Sequence, residues 1–218
     1  MNEFDLYRKE VCRRYPQLQR IRELLARNIP ESEPQKLPNK IVIPQKMRPF
    51  TDARHPSSEV ILHCYVDDTK IKRLVNHPEK YVDKFAQFAG IIGADFSVYR
   101  DDPLELRLIS TKINRAIESF YRQHGIYVVP NVRWGTPDDY CFTVDAIGQQ
   151  KIVAISTHGC IKGAENRYYF KLGLSRMIES VAPEHVLVHG PMPHDVFGKF
   201  ERKTVFHPYY SAITKAHR

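Results

Sequence analysis

Residues 151–189 read KIVAISTHGCIKGAENRYYFKLGLSRMIESVAPEHVLVH. The stretch opens on Lys151–Thr157, a run rich in β-branched side chains that predicts a strand. Polar and glycine residues follow, then Asn166–Val181, where Phe170, Leu174, Met177 and Ile178 recur at three- and four-residue steps and predict an amphipathic helix. Pro183 follows the helix end, and His185–His189 (HVLVH) is a second strand. A strand, a helix and a strand at this spacing form a parallel βαβ unit, whose crossover is right-handed in almost every case.

The same alternation runs upstream. Glu59–Val66 predicts a strand, Thr69–Phe88 a helix broken at Pro78, and Gly90–Tyr99 a second strand. Leu104–His124 predicts a helix with Leu104, Leu108, Ile113, Ile117, Phe120 and Tyr121 on one side, ended by Gly125. Ile126–Arg133 is a third strand, and residues 136–147 carry no clear pattern. Five units fill about 130 residues, whereas an eight-unit barrel takes ~250. The expected fold is therefore α/β: an incomplete or small TIM-like (βα) barrel of five to seven mostly parallel strands. Ile41–Ile43 and a strand at Lys203–Phe206 would help close it, and an open parallel sheet is the alternative. The expected organisation is a basic helical and proline-rich extension over 1–58, a core over 59–197, and a basic aromatic tail over 198–218. In the extension, a helix over 3–28 is interrupted by Pro16, and six prolines fall within 30–58.

The 218 residues are 42% apolar, 11% aromatic and 27% charged, which excludes a disordered or collagen-like chain. Apolar runs fall far short of the ~20 residues that span a bilayer. The acidic start MNEFDLYRKE has no export core, so a cytoplasmic setting without membrane contact is expected. Cys12, Cys64, Cys141 and Cys160 form no C-x-x-C pair, which suits a reducing compartment. The net charge of +8 sits at the ends: +5 over residues 1–50, −1 over 51–197 and +4 over 198–218. Basic ends suit phosphate-rich partners, and Arg13, Arg14, Arg20, Arg22, Lys199, Arg202 and Lys203 are the candidate nucleic-acid contacts.

Each predicted strand runs into polar residues at its C-terminal end, the edge where parallel α/β folds bind ligands. Asp67, Asp95, His158 and His189 are the candidate catalytic groups. Asp68, Ser97, Tyr99, Asn131, Arg133, Trp134, Ser156 and Gly159 are the candidate substrate contacts. Asp67, Asp95 and His158 carry donors suited to a divalent cation such as magnesium or manganese. Arg100 and Arg133 can clamp a phosphate or carboxylate, and either histidine can exchange protons near neutral pH. Plainer roles exist for each. Asp68 and Asp102 suit helix N-caps, Trp134 can simply cover the strand ends, and His189 can be a satisfied buried histidine. Asp95 interrupts an apolar run, so its carboxylate needs a partner such as Arg133 or a cation.

Four ordered phrases, GADFSVYRDDP, IYVVPNVRWG, VAISTHG and VLVHG after Pro183, together with Asp67-Asp68, resemble an uncharacterised bacterial and phage family, domain of unknown function 4417. The resemblance covers about residues 50–190. It implies a setting on phages, plasmids or other mobile elements and supports the choice of rim positions, but it implies no activity. The expected function is an enzyme acting on a phosphate-containing or nucleic-acid substrate at the C-terminal rim. The alternatives are a non-catalytic nucleic-acid-binding protein of a phage or plasmid, and a phage–host interaction protein. Nucleic acid or a nucleotide is the expected partner.

Overall fold

Ile152–Ser156 (β5) and His185–His189 (β6) pair in parallel over five residues, joined by the helix Ala164–Ser180 (α3) as expected. The computed structural model describes residues 41–210. Working from that unit, Val205–Tyr209 (β7) pairs in parallel with β6, His185 opposite Val205 and His189 opposite Tyr209. Upstream lies a second parallel sheet in the order β1 (Lys46–Pro49), β2 (Val60–His63), β3 (Gly90–Ile92) and β4 (Val128–Val129). Helix Asp68–Asn76 (α1) lies in the β2–β3 crossover and helix Leu104–Gln123 (α2) in the β3–β4 crossover, while the β1–β2 connection holds only a 3₁₀ turn. The two sheets, of four and three strands, meet just past β4. There Asn131 bridges Ala154, Val132 N–H donates to the Ala154 carbonyl at 2.8 Å, and Ala154 N–H donates to the Pro130 carbonyl at 2.8 Å. Among the described residues no ladder pairs β7 with β1. Prolines in both, Pro49 and Pro208, suit edge strands, because proline gives no N–H to a ladder.

Side chains alternate along each strand, and the alternation sorts the core into layers. Ile61, Ile92, Val129, Ile152, Ala154 and Leu187 form one buried cluster, to which Met47 and Tyr209 add contacts. All seven strands thus point residues into one space. The intervening positions face helices: Val60, Leu62, Ile91 and Val128 pack with α1 and α2, and Val153, Ile155, Val186 and Val188 pack with α3.

Several strands are shorter than expected, for local reasons. Beyond Ile92 the chain leaves the ladder, and the Asn114 side chain takes over: Phe96 N–H donates to its Oδ1 at 2.8 Å and its Nδ2 donates to the Phe96 carbonyl at 3.1 Å. The helix expected over 69–88 with a break at Pro78 does break there: α1 stops at Asn76 and Pro78 opens a separate 3₁₀ turn. No strand forms at Ile41–Ile43; β1 lies five residues later, inside the segment read as a wrap. The last strand is Val205–Tyr209, shifted from the expected 203–206. Among the described residues no helix is long and apolar enough to cross a membrane.

Candidate functional site

The loops after β3, β4 and β5 and the first turns of α3 enclose a cleft of about 390 Å³. Ser97, Tyr99, Arg133, Trp134, Ser156, His158 and Gly159 all line it, so seven residues singled out from strand ends do converge. Arg100, also singled out, lines it too, and Asp101, Cys160, Asn166 and Tyr169 add to the polar wall. In the sequence, only the polar residue at the end of each strand pointed to the site. The α3 contributors carried no such signal.

Arg133 is the centre of the charge arrangement. Its Nε lies 3.2 Å from Asp95 Oδ1, and its Nη1 donates to Cys160 Sγ at 3.6 Å. Its side chain keeps 21% exposure while that of Asp95 keeps 8%. Asn131 Nδ2 donates to the same Asp95 oxygen at 2.7 Å and to the Ala94 carbonyl at 3.0 Å. Tyr65 in turn donates its hydroxyl to Asn131 Oδ1 at 3.1 Å. Burial pushes the Asp95 carboxyl up to about 6, against the pull of Arg133 and the Asn131 hydrogen bond. Burial also works against the Arg133 charge, but Asp95, Cys160, Tyr65 and Asp68 outweigh it and hold the guanidinium above its ordinary range. Asp95 is not part of the cleft lining; it stands behind Arg133 and positions it.

His189 also stands behind the wall. Its ring stacks on Tyr65 at 4.7 Å and lies 4.8 Å from the His63 ring. Its Nδ1 shares a 3.1 Å hydrogen bond with Ser156 Oγ, which also accepts from the His158 N–H at 3.2 Å. Burial lowers the His189 imidazole to about 4 and His63 well below its ordinary value, so both are neutral at pH 7. His189 is thus the satisfied buried histidine. His158 is exposed and, among the described residues, is the one imidazole lining the cleft. His63, Tyr65 and Asp67 fall at alternate positions of the sequence, but nothing in it showed that β6 would bring a third ring onto the first two.

The acidic candidates divide. Asp67 is the exposed N-cap of α1, accepting from Thr69 N–H at 2.9 Å and from the Thr69 hydroxyl, bonds that hold its carboxyl below the usual range. Asp68 reaches back to accept from Ser97 N–H at 3.3 Å and Ser97 Oγ at 3.2 Å; burial raises its carboxyl despite those bonds. Asp67 caps the helix and Asp68 fastens it to the loop after β3, which reverses the expected assignment. The expected cation set does not assemble: among the described residues no three His, Cys, Asp or Glu side chains gather to hold a metal ion. Arg100 is already engaged, by Asp101 at 3.2 Å, Glu165 at 3.3 Å, Asn166 at 3.1 Å and the Tyr169 ring at 5.2 Å. It ties the β3 loop to α3 rather than standing free for a phosphate.

The basic candidates lie elsewhere. Lys199 donates to Ser175 Oγ at 3.0 Å, and Arg202 and Lys203 sit on the turn entering β7. Because Val205 is in register with His185, that turn is at the strand-start edge, opposite the cleft. Arg13, Arg14, Arg20 and Arg22, and the helix expected over 3–28, lie outside the described residues.

Parallel strands, crossover helices and a polar cleft at the strand C-termini define the class: an α/β protein with a cleft on the strand-end rim, the edge where such folds bind ligands. Within that class, the chain belongs to the family described as Domain of unknown function (DUF4417), whose model matches residues 25–209. The match reaches further at both ends than the quoted phrases and includes β1 and β7. Among curated proteins the chain is similar to the Gene 1 protein of Mycobacterium phage L5, 29% identical over 133 residues, 61% of this chain and 58% of that protein. It is also similar to the Gene 1 protein of Mycobacterium phage D29, 25% identical over 152 residues, 68% of this chain and 56% of that protein. The chain therefore spans little more than half the length of these phage relatives. No solved structure matches it.

Proposed function

We propose that this protein is a phage-associated enzyme whose cleft binds a phosphate-containing substrate, with Arg133 taking the phosphate and His158 exchanging the proton. We also propose that its seven strands act as one incompletely closed barrel, since residues from all of them meet in one interior cluster. The arginine is the observation that carries the reading. Its Nε is committed to Asp95 and one Nη1 hydrogen to a weak sulfur acceptor, and its other N–H groups have no protein acceptor among the described residues. A guanidinium fixed from behind and open in front suits a planar, bidentate oxyanion. The backing carboxylate holds the fork without filling the cleft. His158, unlike His189 and His63, lines the cleft where a substrate can reach it, and an imidazole can both accept and donate a proton.

Calorimetric titration with inorganic phosphate tests the binding half. Arg133→Ala is expected to lose at least about tenfold in affinity with its melting transition retained; unchanged affinity overturns the assignment. A panel of phosphomonoesters and phosphodiesters tests the catalytic half. His158→Asn is expected to lower kcat by about a hundredfold or more with KM little changed. Phosphate binding without turnover of any member would make the cleft a binding site and not an active centre.

A further inference from the structure

A glycine inside a helix costs about 1 kcal/mol relative to alanine, so Gly173, in the middle of α3, asks for a reason. The reason is Trp134. A side-chain carbon on Gly173 would overlap indole Cδ1, Nε1 and Cε2 together, which places the ring broadside on the helix. Phe170, one turn earlier, packs against the indole at 5.2 Å between centroids. One face of the indole is thus seated on α3, and its other face is turned away from the helix in a residue that lines the cleft beside Arg133. Tyr99, 56% exposed, stands on the same cleft from the β3 loop.

A rigid aromatic floor next to an open guanidinium recognises a planar ring joined to a phosphate. We infer that Trp134 is a stacking platform and that the substrate carries a nucleobase, as a free mononucleotide or as the phosphorylated end of a single strand. This rests on the phosphate reading of Arg133 given above. The size agrees, because about 390 Å³ lies within the range of small-molecule sites. Stacking on an aromatic side chain tolerates any base, so the platform selects for a base and not for its identity.

The test uses the full chain, in which Trp134 is the single tryptophan, so its emission reports this wall alone. Adenosine 5′-monophosphate, ribose 5-phosphate and inorganic phosphate are titrated in parallel by fluorescence and calorimetry. The nucleotide is expected to quench Trp134 and to bind about tenfold more tightly than ribose 5-phosphate. Trp134→Ala should erase that margin while keeping the sugar phosphate, Trp134→Phe should retain part of it, and Gly173→Ala, which pushes the indole off its seat, should reduce it. Arg133→Ala should weaken both ligands equally. Equal affinity for nucleotide and sugar phosphate, both dependent on Arg133, overturns the platform and leaves the phosphate site standing. No binding of any of the three overturns both. A 5′-phosphorylated pentanucleotide that binds more tightly than the mononucleotide identifies a strand end as the source; equal affinity identifies the free nucleotide.

Discussion

Two arginine–aspartate pairs lie near the ends of the same strands, and they are built differently. Arg107 and Asp139 meet at 2.6 Å with side-chain exposures of 8% and 0%. Asp139 also accepts from Gly135 N–H at 3.0 Å, Thr136 N–H at 3.1 Å and Thr143 Oγ at 3.0 Å, while Arg107 Nη1 also donates to Thr136 Oγ1 at 2.8 Å. That carboxylate is filled. The Arg133–Asp95 pair is longer, backed by one asparagine, and has its cation on the cleft wall. The first pair holds the loop that follows β4 in place; the second holds a charge where a ligand can reach it. The same two residue types fasten a loop, as a latch, or present a charge on a cleft wall according to how many donors the carboxylate already has.

The largest expected effect breaks the latch. Asp139→Ala leaves Arg107 buried without its counter-charge and strips the Gly135 and Thr136 N–H groups of their acceptor. Losing one partner of a buried pair costs about 3–5 kcal/mol, to be read as a shift in the urea unfolding midpoint. Arg133→Ala should cost markedly less, since the abandoned Asp95, already near pH 6, can take a proton. Equal losses in the two variants would erase the distinction between latch and site.

The next effect is a pH dependence with opposed parts. Asp95 titrates at about 6 in the folded chain against an ordinary 3.8. Between those values the folded chain keeps a proton that the unfolded chain has lost, so this group's contribution to stability falls as pH rises. His189 titrates at about 4 against an ordinary 6.5, so the folded chain lacks a proton the unfolded one holds, and its contribution rises with pH. Each amounts to about 3 kcal/mol at roughly 1.4 kcal/mol per pH unit, and in the native chain they largely offset. Asp95→Asn should therefore gain stability relative to the native chain from about pH 4 to about pH 6 and level off above. His189→Phe should lose relative stability from about pH 4 to about pH 6.5. Urea unfolding across that range measures both; curves parallel to the native chain's would show that neither group is shifted by burial.

The cleft was legible in the sequence and the latch was not. Arg133, Trp134 and His158 each follow a β-branched run, and parallel pairing alone carries such residues to one edge. Arg107 sits on a helix whose apolar stripe dominates its pattern, and Asp139 lies in the stretch 136–147 that showed no periodicity. Their meeting depends on tertiary placement that spacing does not encode. Glu118 is a similar case: buried on α2, it accepts from Asn131 N–H at 3.0 Å and from Arg115 at 2.8 Å. The structure explains the glycine opposite it, since Gly93 has no room for a side chain beside that carboxylate. Asp67 and Asp95 were both read as candidate catalytic groups, with His158 and His189, because they end or interrupt strands. They differ because one has α1 to cap and the other has only Arg133 and Asn131 to face.

The smallest expected effect concerns the other edge. Arg202 and Lys203 are exposed on the turn into β7, which the His185–Val205 register puts at the strand starts. Replacing both by glutamine should change stability by no more than about 0.5 kcal/mol, as for surface positions without partners. Phosphate affinity in the cleft should also stay within about twofold, because exposed charges farther apart than the ~10 Å Debye length at 0.1 M salt are largely screened. A drop comparable to that of Arg133→Ala would mean that one ligand engages both edges of the strands at once. Only an extended, multiply charged polymer can do that, and the mononucleotide and the strand end would then no longer be equivalent probes of the cleft.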